Sequence, residues 1–369
     1  MRFIHVADTH LGYRQYNLEE RERDIYNLFN DIFDIALEER VDAIIHSGDL
    51  FDTPRPTVDA LYEFRKALKK IEGKIKFITV LGEHDTPKRR GKPPQDLFDI
   101  HVLGRYYELS QIIIDDVLIA GISNIKLKNL EILKRELKKF DKVAKDYKNS
   151  VLVIHQAIKK FLPFEGAYQL VLADLPETAN YYALGHIHSR QMEKFGNGIL
   201  AYSGSIEIMN KDEISSWKNK GKGVYLVDLE GDEPQVETIN LNVRPQYNII
   251  TKVDDLESAL NKVDLKYKPI IHVEVVGEKL DKKRLTKQIS DMLGDKVLSY
   301  RPIFRETFYR DIKASEGPID YQAIFADYFK DEKKSKLALE LHEFLSNNDI
   351  KSAIKIAENF LNEDKSEEK

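Results

Sequence analysis

Residues 76–90 read KFITVLGEHDTPKRR: an apolar, β-branched run closed by Gly82, then Glu83-His84-Asp85, then a cluster of cations. The run has the composition of a strand, and the glycine marks where it stops. The arrangement recurs along the first half of the chain. RFIHVA precedes Asp8-Thr9-His10, AIIHS precedes Gly48-Asp49, SVLVI precedes His155, and YYAL precedes Gly185-His186-Ile187-His188.

Between these strands lie segments with apolar residues at helical spacing, such as Ile25, Leu28, Phe29, Ile32, Ile35 and Ala36. Asn17 and Glu20 have the spacing of a capping box at the start of that segment. Strands alternating with helices predict an α/β sheet, and such sheets bind ligands outside the carboxyl ends of their strands. The five motifs, spread from Asp8 to His188, are therefore expected to meet in space.

Asp8-x-His10 and His186-x-His188 set two donors on one side of an extended or turning segment. Carboxylate and imidazole together suit manganese, iron or zinc. The chain of 369 residues has no cysteine, so disulfides, thiolate metal sites and a cysteine nucleophile are excluded. Hydrophobic content is 42% and charged content 32%, with a formal net charge of -5. That charge argues against coating nucleic acid by bulk electrostatics but permits a local basic groove. No apolar stretch approaches the roughly 20 residues needed to cross a bilayer, and the amino terminus lacks a secretory pattern. An intracellular, cytoplasmic protein is expected.

A second unit starts near Arg244-Pro245 and reads strand, helix, strand, helix, strand. KASEGP, after about Ile312, resembles a linker, and three helical stretches follow. Leu337, Leu341, Phe344 and Leu345 share one helical face; Ile350, Ile354 and Leu361 share another after Asn347-Asn348-Asp349. Two such short helices either fold back on the chain or dock on a partner.

In this order, D-x-H, GD, G-x-H-D, H and G-H-x-H resemble the calcineurin-like metallophosphoesterases. HVADTHLGYRQYN, SGDLFDTPRP and YYALGHIHSR are similar to one branch of them, the meiotic recombination eleven (SbcD) DNA repair nucleases. The resemblance implies two packed β-sheets flanked by helices over 1–243 and a small α/β cap domain over 244–312. It further implies a linker and helix over 313–331, a helical partner-binding segment over 332–363 and a disordered tail over 364–369.

It also implies two divalent ions, taken as manganese(II), one held by Asp8, His10, Asp49 and His188 and the other by Asp49, His155, His186 and Glu83. Asp49 bridges them, so that attacking and leaving oxygens are clamped together. His84 sits over the scissile phosphate as the catalytic group, with Asp85 either orienting its ring or capping the loop. Glu83 departs from the family's usual asparagine, and Asp52 from a histidine of some relatives.

Tyr202-Ser203-Gly204-Ser205 is similar to a family loop beside the site. Arg14, Arg55, Lys88, Arg89 and Arg90 leave the same strand ends and form either a basic rim for DNA phosphates or ordinary solvated cations. Tyr13 and Tyr16 are candidates for stacking on an unpaired base.

The absence of G-x-x-x-x-G-K-[ST] means no P-loop. ATP in this family belongs to a coiled-coil ABC-type ATPase of the radiation-fifty (SbcC) type, bound through the carboxyl-terminal helix pair. Family dimers point to Leu61, Phe64, Leu97 and Phe98, which sequence alone assigns to the core. The implied activity is a 3'-5' double-strand exonuclease and single-strand endonuclease acting on DNA ends at the nucleoid of a prokaryotic cell. The alternatives are a phosphodiesterase for a small ester, or a DNA-end-bridging scaffold with weakened catalysis.

Overall fold

A computed structural model describes residues 1–88, 91–164, 166–231, 233–306, 320–346 and 349–367. The chain begins β1 (Arg2–Val6), α1 (Glu19–Glu38), β2 (Ala43–His46), α2 (Val58–Ile71), β3 (Lys76–Val80) and β4 (His101–Leu103). It continues with β5 (Ser110–Ile114), β6 (Val117–Ile122), α3 (Leu130–Ala144), β7 (Asn149–His155), β8 (Tyr181–Gly185), β9 (Gln191–Phe195) and β10 (Gly198–Tyr202). Then come α4 (Glu213–Lys220), β11 (Gly223–Asp228) and β12 (Gln235–Asn240).

Among the described residues these strands form two six-stranded sheets, ordered β12-β11-β1-β2-β3-β4 and β5-β6-β7-β8-β10-β9. β1 to β4 run parallel, as do β6, β7, β8 and β10. Alternation along each strand decides which sheet face a residue serves. Phe3, Ile45, Ile78, Val151, Val153 and Ala183 fill the layer between the sheets. Ile4, Val6 and Ile44 turn outward under α1 and α2, while Leu152, Ile154 and Leu184 turn outward in the cluster that contains α3.

The inner layer is not wholly apolar. His5 Nδ1 lies 2.9 Å from Tyr181 Oη and its Nε2 lies 3.0 Å from Ser47 Oγ. Ser47 donates its hydroxyl to Ala183 O, so it accepts from His5 Nε2–H, and Tyr181 donates to Nδ1. The neutral ring is satisfied at both ends and links the two sheets.

The helix capping expected at Asn17 does not form. Asn17 sits at φ 60, and α1 opens after Leu18 without a side-chain cap. Glu19, Glu20 and Glu22 in the first turn complement the helix dipole instead. Phe64 is fully buried, ringed by Phe51, Phe77 and Phe98 with centroids 4.6–5.6 Å away, so it belongs to the core and not to a dimer face. Leu61 and Phe98 are half-buried against the same cluster, whereas Leu97 is 71% exposed beside Val58 and Tyr62.

β13 (Gln246–Lys252), α5 (Leu256–Asn261), β14 (Ile270–Gly277), α6 (Lys282–Leu293) and β15 (Ser299–Glu306) make a parallel three-stranded sheet with its own core of Leu256, Ile271, Val273, Leu285 and Ile289. It is tied to the first domain by polar contacts. Gln246 bonds Gln15 and the carbonyl of Ile208, and Arg244 pairs with Asp24.

Separately, α7 (Tyr321–Phe329), α8 (Glu332–Ser346) and α9 (Ile350–Glu367) form a second unit, α7 packing on α8 and α8 on α9. Asp349 caps α9 by accepting from Ser352 N. Residues 364–367, expected disordered, continue α9, because Lys and Glu are good helix formers on an established helix. KASEGP, Asn347-Asn348 and residues 368–369 lie outside the described residues.

Burial drives the His5 pKa down from 6.5 to about 3. The unfolded chain therefore binds a proton that the folded chain refuses as pH falls below 6.5, and stability drops by about 1.4 kcal/mol per pH unit down to about pH 3. His5→Gln, with no proton to bind, is expected to show a urea-unfolding free energy that falls between pH 6 and 4 with a slope smaller by about one proton than that of the parent.

Candidate metal centre

Parallel order brings the carboxyl ends of β1, β2, β3, β7 and β8 to one edge, and the loops there brace one another. Asp8 N donates to Gly48 O at 3.0 Å and His10 N to Asp49 O at 3.1 Å. His84 N donates to Asp49 Oδ1 at 2.8 Å, and His186 N reaches both Asp8 oxygens at 3.1 and 3.2 Å. Asp8, His10, Asp49 and His186 all take positive φ, between 45° and 92°, a conformation unfavourable for these residues. Gly82 permits the closest approach: a Cβ there would lie 2.0 Å from Asp49 Oδ1.

Among the described residues three groups of donors result, each with its atoms within 4.8 Å of one another: Asp8, His10 and His188; His10, Asp49 and His84; Asp8, Asp49 and His155. His10 Nε2 and His155 Nε2 are buried without a hydrogen-bond partner. His155 Nε2 lies 3.2 Å from Asp49 Oδ2 yet outside hydrogen-bonding geometry. Orphaned imidazole nitrogens facing buried carboxylates are what divalent cations require, so the residues present fit a metal centre.

The opposite nitrogens are all engaged, which sets each ring's orientation. His155 Nδ1 meets Ser47 O at 2.7 Å, His188 Nδ1 meets Glu213 Oε1 at 2.9 Å, and His84 Nδ1 meets Asp52 O at 2.8 Å. His10 Nδ1 lies 3.4 Å from the Asp52 carboxylate. Burial opposes charge on His155, but Asp49 and Asp8 outweigh it and raise its pKa to about 10. Asp49 is buried, which works against its charge, yet the imidazoles around it hold its pKa well below the usual carboxylate range. His46, pushed down to about 3 by burial and by His155, stays neutral between Thr9 and Gly48 N and props the first loop.

Some expected contacts do not form. Asp85 accepts from Leu50 N, Phe51 N and Gly82 N, at 2.9–3.2 Å, so it organises the loop and does not orient His84. The carbonyl of Asp52 takes that task. Glu83 is exposed and belongs to none of the three groups. The side chain of His186 is outside them as well, though its ring lies 5.4 Å from that of His155.

Arg14 is engaged by Glu22, and Tyr13 donates to Met209 O. Tyr16 is covered by Arg301, 4.2 Å from its ring centroid, and by the edge of His272, so the cap domain occupies the face offered for a base. Arg55 and Lys88 are exposed and make no ion pair among the described residues; Arg89 and Arg90 lie outside them. Nothing in the sequence marks Ser47, Asp52 or Glu213 as supports, since a single polar residue in a loop or at a helix end carries no spacing signal.

A two-sheet α/β sandwich that gathers carboxylates and imidazoles at its strand ends defines a class, the calcineurin-like phosphoesterases, whose family profile matches residues 1–190. The chain is 39% identical over 322 residues to the DNA double-strand break repair protein Mre11 of Saccharolobus solfataricus, covering 83% of each. It is 36% identical over 361 residues to the protein of that name from Methanocaldococcus jannaschii, covering 95% of this chain and 96% of that one. This chain belongs to the Mre11 family.

Gly82→Ala retains allowed backbone angles but drives a methyl group into Asp49. Calorimetric titration with manganese is expected to show affinity at least tenfold weaker, by the scale of supporting-residue effects on metal sites, while circular dichroism keeps the parent's secondary structure.

Proposed function

We propose that this chain is a manganese-dependent phosphodiesterase of DNA, a 3'-5' exonuclease on duplex ends and an endonuclease on single strands, that processes ends in double-strand break repair. The observation that carries the reading is the convergence of Asp8, His10, Asp49, His155 and His188 on a shared space, with orphaned imidazole nitrogens and the exposed His84 beside it. Relatives named for double-strand break repair support the choice of substrate.

Two divalent ions in this donor set supply Lewis acidity to a phosphate and a hydroxide nucleophile near neutral pH. Asp8, His10 and His188 would hold one ion and Asp49 and His155 the other, with the ring of His186 beside His155 as a further donor for the second. Glu83, exposed beside His84, would serve as a further carboxylate donor to the second ion. Oxygen and nitrogen donors without thiolate suit manganese, iron or zinc, and manganese is the ion that the family resemblance implies.

His84 keeps its Nδ1–H on the carbonyl of Asp52, which leaves Nε2 toward the mouth. From its doubly protonated form it stabilises charge on the phosphate and delivers a proton to the leaving oxygen as the P–O bond breaks. Arg55, Lys88, Arg89 and Arg90 grip backbone phosphates without reading sequence. An open edge, with His84 exposed, suits a polymer better than a small ester.

The partner is a coiled-coil ABC-type ATPase of the radiation-fifty (SbcC) family. Leu345, Ile350 and Ile354 are more than half exposed on α8 and α9, an apolar surface of the kind a partner helix covers. Leu337, Leu341 and Phe344 are part-buried on α8, and the side chain of Leu361 lies outside the described residues. Leu61, Leu97 and Phe98, with Val58 and Tyr62, form the face for a homodimer. The complex works at the nucleoid in the cytoplasm.

With manganese and labelled DNA, His84→Ala is expected to bind metal as the parent does and to cleave about 10²–10⁴-fold more slowly. Turnover of a small chromogenic diester with intact DNA would favour the small-ester reading, and tight DNA binding without cleavage the scaffold. Ile354→Glu is expected to abolish co-purification with the ATPase while the isolated chain still cuts DNA; retained co-purification removes that face from the partner reading.

A further inference from the structure

Glu213 and Lys222 lie outside every strand-end motif yet are buried behind one of them, at 5% and 2% exposure. Lys222 has three N–H donors and three acceptors: His188 O at 2.9 Å, Ser205 Oγ at 2.5 Å, and Glu213 Oε2. Glu213 in turn accepts from Asn210 Nδ2 at 2.8 Å and Met209 N at 3.3 Å, and its Oε1 meets His188 Nδ1 at 2.9 Å. His188 is thus gripped twice, by its carbonyl and by its ring.

A carboxylate can only accept, so His188 must carry its proton on Nδ1, and the lone pair of Nε2 is left pointing toward Asp8, 3.9 Å away. A buried carboxylate on one imidazole nitrogen fixes the tautomer, stops the ring from turning, and raises the basicity of the other nitrogen. Lys222 keeps that carboxylate charged and in place although both are buried. Glu213 is the first residue of α4, so the end of a helix, not a flexible loop, presents it.

We infer that Glu213, locked by Lys222, is a positioning residue that sets the metal affinity of the group Asp8, His10 and His188. The inference rests on the reading of His188 as a ligand. Glu213 and Lys222 make one half of the centre stiff, whereas His155 Nδ1 meets, among the described residues, only the carbonyl of Ser47.

The test is calorimetric titration of the metal-free full chain with manganese chloride. Glu213→Gln is expected to weaken one of two binding steps about 10–100-fold and to leave the other unchanged. Glu207→Gln is the comparison: Glu207 is an equally buried carboxylate of the preceding loop, but it pairs with Arg21, so this change is expected to lower the melting temperature and spare both steps. Unchanged affinity in Glu213→Gln, or equal weakening in Glu207→Gln, overturns the inference. If Glu213→Gln does not fold, Glu213→Gln with Lys222→Met removes the uncompensated buried ammonium, and parent-like affinity in that double variant overturns it equally. His188→Ala separates the two layers of argument. Two intact steps there defeat the ligand reading itself, whereas loss of a step there with none in Glu213→Gln defeats only the positioning role.

Discussion

The centre depends on a backbone conformation its residues would not choose. Asp8, His10, Asp49 and His186 are held at positive φ, where a side chain other than glycine costs about 1–3 kcal/mol each. The distortion swings donors from consecutive turns into a common space. It persists because the surroundings over-determine it: each loop's amides are tied to the next loop's carbonyl or carboxylate, and the strands beneath are locked in a parallel sandwich. Glycines at 48, 82 and 185 make room, since a Cβ at any of them would strike a ligand or its supporting carbonyl. Stability from the two sheets is what maintains this strain.

Much of this was readable because the α/β pattern converts sequence order into spatial order. An apolar run that ends in a glycine and a polar pair is a strand followed by a sharp turn, and parallel pairing puts all such turns on one edge. The meeting of Asp8, His10, Asp49, His155 and His188 in one place follows from that rule, while their division between two ions is what the family resemblance implies. What did not follow are the residues that aim them. Ser47 acts through its carbonyl, which every residue has; Asp52 acts through its carbonyl and its carboxylate; Glu213 sits 25 positions beyond His188. Asp85 looked like a partner for its neighbour His84, yet three backbone amides compete for its oxygens and win. Phe64 shows the same limit in the core, where an apolar residue on an amphipathic helix reads identically whether it faces the sheet or another copy.

The cap domain was legible as a unit but not as a neighbour. Tyr16 and Arg14 follow the first ligand pair closely enough to suggest substrate contact, but the structure commits them to other partners, Tyr16 to Arg301 and the exposed Arg14 to Glu22. Gln15, two residues before the turn into α1, bonds both Gln246 of the cap and Met209 of the loop that leads to Glu213. The segment after Asp8-Thr9-His10 is therefore a joint between the metal edge and the cap. A cap held by an amide pair, the Arg244–Asp24 ion pair and a stacked guanidinium is attached to the sandwich in a defined orientation.

Charge at the mouth adds a further constraint. Asp8, Asp49, Asp52 and Glu83 crowd one edge of a chain whose net charge is already negative, and the imidazoles among them only partly offset this field. A polyanion approaching that edge is repelled until cations neutralise it, while Arg55 and Lys88 attract it from the flanks. Metal loading and substrate binding are thus coupled through electrostatics even without a conformational change. Glu83 bears directly on this balance: an exposed carboxylate beside the site deepens the negative potential at the mouth, which retains cations but raises the barrier to an anion entering before the site is filled.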